Sequence, residues 1–110
     1  MAKFKDVGEA QIFLENDSRF QKLVEDYFFF ADEDEDPVEN AAYQVATEYA
    51  RLLKERGAFW GTQRYDEALR QALSNWLSFF LYCGTREVES NSYVAQKRAE
   101  HEAAKMIYNL

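Results

Sequence analysis

The chain of 110 residues contains only four glycines and one proline. That is little turn material, and it argues for few, long elements, which means helices. A single cysteine, Cys83, cannot form an internal disulfide, so a reducing compartment is the simplest setting. The longest apolar stretch, "WLSFFLYC" from Trp76 to Cys83, is far below the roughly 18 residues that span a bilayer. The N-terminal "MAKFKDVGEAQ" has two lysines and no apolar core, so it does not read as a signal peptide. The expected location is the cytoplasm, with no membrane partner.

Recognisable reaction chemistry is also missing. There is no glycine-rich phosphate loop, no G-x-S-x-G, and no serine–histidine–aspartate set placed by motif. His101-Glu102 begins like the zinc pattern H-E-x-x-H, but its fifth position is Lys105 and His101 is the only histidine. A solvated helix face accounts for it. Asp32, Asp34 and Asp36 have the alternate spacing of calcium-loop ligands. The glycine position of that loop is Pro37, however, and the glutamate position is Tyr43. Cys83 lies in an apolar run, with the lone histidine on another helix, so it reads as a buried structural thiol. The expectation is a protein that is not an enzyme and carries no metal or cofactor.

What is present is apolar mass and acid. Hydrophobic residues make up 47% and aromatics 16%, enough for one folded domain with a real core. The net charge of −7 is unevenly spread. Residues 1–40 hold four basic residues and twelve acids, a net of −8, whereas residues 41–110 hold nine and eight, a net of +1. The negative field belongs to the N-terminal third. It repels nucleic acid and anionic membrane and attracts basic surfaces.

Periodicity and capping signals predict an all-α fold, a compact bundle of four to five helices around a long antiparallel pair. Asp6 and Glu9 form a capping box that opens a helix at about 7–15. Asn16-Asp17-Ser18 interrupts it and offers a new N-cap for a helix at about 18–31, with Phe20, Leu23, Val24 and Tyr27 on one face. Asp36-Pro37-Val38-Glu39 is the strongest start signal. The helix it opens carries Val38, Ala42, Val45, Tyr49 and Leu52 on one side and stops at Gly57. "GAFWGT" (57–62) is short enough to set the next helix antiparallel. That helix, from about Thr62 to Cys83 with Gly84 as its stop, repeats Tyr65, Leu69, Ala72, Trp76, Phe79 and Cys83. Leu73, Leu77 and Phe80 widen the stripe. From Trp76 onward it is apolar almost all round, which predicts a central, buried element. A final helix, about 92–109, is capped by Ser90 or Ser92 and presents Ala95, Ala99, Ala103, Met106, Ile107 and Leu110.

The stretch "EDYFFFADEDEDP" (25–37) sets three phenylalanines beside five acids. Three consecutive helical residues spread over about 200°, so Phe28, Phe29 and Phe30 cannot all face one side of a small core. Either several elements converge there, or one ring joins an exposed patch rimmed by acids, a common layout for a protein-binding site. The acids alone have a plain explanation as a solvated linker. Pinned between two helices, though, they hold a fixed negative patch. The candidate partner-binding residues are Glu25, Asp26, Phe29, Phe30, Asp32, Glu33, Asp34, Glu35 and Asp36, with Phe59 and Trp60 from the interhelical connection. The expected function is a non-catalytic acidic protein engaging a basic surface of a protein partner, in the sharper form a nucleic-acid-binding groove, without contacting nucleic acid directly. In size, acidity and lack of motif the chain resembles phage- or plasmid-borne inhibitors of restriction or CRISPR systems, a resemblance of composition that no motif carries. The alternative is a self-associating scaffold or accessory subunit, with the aromatics forming a homodimer interface.

Overall fold

In a computed structural model, residues 7–28, 36–56, 67–85 and 90–108 are described. They form five helices and, among these residues, no strand: α1 (Val7–Glu15), α2 (Ser18–Tyr27), α3 (Pro37–Arg56), α4 (Glu67–Thr85) and α5 (Ser92–Tyr108). One continuous apolar core draws on all five helices.

The break between α1 and α2 satisfies its own polar groups. Asp17 leaves the helical region (φ −92°, ψ 116°), and its side chain accepts from the backbone N–H groups of Arg19 (2.8 Å) and Phe20 (3.4 Å). Those are donors that a first turn otherwise leaves unpaired. Gln21 Nε2 donates back to the Glu15 carbonyl (2.7 Å), and Asn16 Nδ2 donates to that of Ile12 (2.8 Å), closing the end of α1. Asp17 is only 1% exposed, so this cap is part of the core boundary.

The second helix ends earlier than predicted, at Tyr27. Phe28 is extended (φ −82°, ψ 97°) and caps the helix through its N–H on the Val24 carbonyl at 3.0 Å. Leaving the helix lets its ring enter the core, 5.5 Å from Phe80 and 6.5 Å from Trp76 between centroids. Phe28 is therefore a core residue, 5% exposed. Phe29 and Phe30 lie outside the described residues.

At α3, Asp36 caps as expected, its Oδ1 accepting from the Glu39 N–H at 3.0 Å with Pro37 as the first helical residue. Ala42, Val45, Tyr49 and Leu52 are buried and Val38 is partly so, with Ala41 and Ala46 widening the face. The final helix is capped by Asn91, not by Ser90 or Ser92: Asn91 Oδ1 accepts from Tyr93 N–H (3.0 Å) and Val94 N–H (3.2 Å). Asparagine caps as well as serine does, and the helix begins at Ser92 itself. The proposed Asp6 cap, the Gly57 stop, "GAFWGT", Tyr65 and Leu110 fall outside the described residues.

The most extensive packing is α4 on α5, although α5 carries the plainest face in the sequence. Ala95, Ala99 and Ala103 recur every four residues and are buried, with Ala68 and Ala72 buried on α4. Small side chains bring two helices close and compensate for their limited apolar area. The pair is antiparallel. At the start of α4, Arg70 Nη1 donates to the carbonyls of Ile107 (3.0 Å) and Tyr108 (3.2 Å) at the end of α5. Those carbonyls have no partner within their own helix.

The far end of α4 departs from expectation. Trp76, Leu77 and Phe80 are buried, but Phe79 is 58% exposed and Cys83 is exposed. Cys83 is not a buried thiol. Angle does not explain this, because Phe79 follows buried Ala72 by one heptad and sits only about 20° away around the helix. Nor does height: both neighbours still reach this level, because Gln44 and Glu48 of α3 and Gln96 and Glu100 of α5 line clefts on either side of Phe79. The helix also runs through Gly84 to Thr85 instead of stopping there. Among the described residues, no helix is long and apolar enough to cross a membrane.

Candidate interaction surface

Of the predicted partner-binding residues, Glu25, Asp26 and Asp36 are described. Phe29, Phe30, Asp32, Glu33, Asp34, Glu35, Phe59 and Trp60 lie outside the described residues. Asp36 does not stand alone. Its carboxylate shares a hydrogen bond with that of Glu39, and Glu15 at the end of α1 faces the pair. These contacts push the Glu39 carboxyl above its ordinary value of 4.5, the shared hydrogen bond most strongly, then the charge of Asp36, then that of Glu15. Among the described residues, every charged group acting on Glu39 is another carboxylate. Holding such a pair together requires one proton to be retained at a higher pH.

Glu15 escaped sequence reasoning. It stands far from Glu39 along the chain, and only the packing of α1 on α3 brings the two together. Glu25 and Asp26 are exposed on α2, but they are not among the groups acting on Glu39. Asp26 is partly balanced by Lys22, whose Nζ lies 3.3 Å from its Oδ1. The N-terminal acids thus divide into an unbalanced cluster at the α1–α3 contact and a partly paired one on α2. His101, with Glu102 and Lys105, lies exposed on α5, as a solvated helix face requires.

A second surface had no signal in the sequence. Phe79 projects as a ridge between two open clefts. One, of about 300 Å³, is lined by Phe28, Gln44, Glu48, Asn75, Trp76 and Phe80 together with Phe79 itself. The other, of about 390 Å³, lies between α4 and α5 and is lined by Ser78, Tyr82, Gln96 and Glu100 on the far side of Phe79. The ring of Phe79 meets Phe80 edge-on at 5.2 Å. Among the described residues, the carboxylates on the rims have cations beside them. Glu48 is held by the guanidinium of Arg51, which also reaches Glu55 at 3.2 Å, and Glu100 lies 3.4 Å from Lys97. Trp76 contributes to the first cleft, yet its indole Nε1–H is buried and has no hydrogen-bond partner among the described residues.

No family model, curated protein or solved structure matches the chain. Its functional reading therefore rests on its own residues.

Proposed function

We propose that the chain is a non-catalytic binding protein whose acidic N-terminal third engages a basic surface of a partner protein. The observation that carries this reading is the Glu15–Asp36–Glu39 cluster, in which like charges are held together with no cation among the described residues acting on Glu39. Such an arrangement costs folding stability, and a basic partner relieves that cost on binding. Asp36 is also the last of the five consecutive acids, so the cluster adjoins the densest negative run in the chain. In its sharper form the protein is an inhibitor that occupies a nucleic-acid-binding groove, with carboxylates standing where phosphates would lie.

The test begins with capture of bound proteins from the native host cell. It continues with a variant in which Asp32, Glu33, Asp34 and Glu35 become Asn or Gln while Asp36 is kept as the helix cap. Captured proteins should bind nucleic acid and release this chain when duplex DNA competes. The neutralised variant should bind more weakly, with a flatter salt dependence, because exposed charges are screened within about 10 Å at 0.1 M salt. Unchanged affinity together with unchanged salt dependence would refute the acidic-patch reading.

A further inference from the structure

The Phe79 ridge differs from the acidic cluster in the property that selects a partner. The carboxylates on its cleft rims have cations beside them, Arg51 for Glu48 and Lys97 for Glu100. Among the described residues, the remaining polar lining of the first cleft is the amides of Gln44 and Asn75. An amide carries both donors and acceptors, so such a rim can pair with a copy of itself. A basic partner gains little from carboxylates already neutralised, and a nucleic-acid partner, with a negative charge on every nucleotide, is opposed by the net charge of −7.

Shape points the same way. A protruding ring and a hollow of about 300 Å³ floored by Phe28, Trp76 and Phe80 lie side by side on one face. A benzene ring fits a cavity of about 150 Å³, so a phenylalanine side chain has room to enter. In a two-fold dimer the same patch meets itself, and each copy must present both knob and hole. This face does. We propose that a second copy of the chain docks here, Phe79 of each copy seating on the aromatic floor between α3 and α4 of the other. The edge-on and tilted packing already present there, at 5.2 to 6.5 Å between centroids, is the geometry in which a further ring is welcome.

The inference stands apart from the proposed binding of a basic partner, and salt separates the two. Screening weakens attraction between acids and a basic surface, but it relieves the repulsion between two copies that each carry −7. Sedimentation equilibrium of the full chain, from about 5 to about 500 µM and at about 0.05 and 0.5 M salt, should show a reversible dimer that tightens with salt. Phe79→Asp should weaken it by at least about tenfold, as loss of a central aromatic anchor does. Gln44→Arg, which fills the cleft mouth from an exposed position, should do the same. Ile12→Asp, a change at an exposed apolar residue on α1, should leave it intact. Thermal melts of all three variants confirm folding. A dimer that survives both Phe79→Asp and Gln44→Arg overturns the proposal, as does a wild-type chain that stays monomeric throughout. If that monomer binds poly-L-lysine and Phe79→Asp abolishes the binding, the ridge belongs to a basic partner and the second-copy assignment is wrong.

Discussion

Replacing Trp76 with phenylalanine should change stability by less than about 1 kcal/mol, an unusual tolerance for so buried an aromatic. Trp76 is 7% exposed and packs against Phe80, Phe20 and Phe28 at 5.2, 5.6 and 6.5 Å between centroids. Trimming indole to phenyl removes the equivalent of two or three buried methylenes, a loss of about 2 kcal/mol. The same change deletes the Nε1–H, which is buried with no acceptor among the described residues and costs about 1–3 kcal/mol to leave unmet. The two terms have opposite signs and similar size. Trp76→Ala has no such compensation and should cost about 3–5 kcal/mol, because it also empties the ring site. Urea unfolding followed by far-UV circular dichroism reads both variants against wild type, with an unchanged slope as the check on two-state behaviour. If Trp76→Phe costs 2 kcal/mol or more, by that same rough scale, the transfer term is unopposed and the indole N–H has a partner in solution. If Trp76→Ala costs under roughly 1 kcal/mol, the residue is not core and the packing argument for α4 fails.

Three further outcomes test the bundle. Asp17→Ala should cost about 1–2 kcal/mol and Asp36→Ala about 1 kcal/mol in thermal melts, since Asp17 caps two N–H groups from a buried position and Asp36 one from an exposed position. The reverse order would contradict the role given to burial. Ala99→Leu should cost about 1–3 kcal/mol by overpacking the α4–α5 contact, and a neutral result would mean that this contact is loose. Glu39→Gln should flatten the pH dependence of stability in the carboxylate range. With the Glu39 carboxyl raised in the folded state, its contribution is fully present below its unfolded value and is lost as pH rises through the folded one. The effect should fade in high salt, because the group is exposed. A variant whose pH profile matches wild type at low salt would show that the Asp36 and Glu15 contacts do not form in solution.

Some features of this protein are written in short segments of its sequence. Asp17 and Asp36 were legible as caps because capping depends on an acid and the N–H groups two or three residues beyond it. The α3 face from Val38 to Leu52 was legible because helical periodicity alone fixes which residues share a side. Asn91 lies between Ser90 and Ser92, and only the position of the first helical turn chooses among the three. Other features depend on what stands opposite, which no local pattern encodes. Glu15 joins Asp36 and Glu39 only because α1 packs on α3. Phe28 turns out of its helix because Phe80 and Trp76 offer a core to enter. Phe79 and Cys83 share the heptad stripe of Leu69, Ala72 and Trp76, yet they stand exposed near the end of α4. Periodicity sets the angle of a side chain about its helix; whether it is covered there or left over an open cleft is decided by how the other helices pack around it.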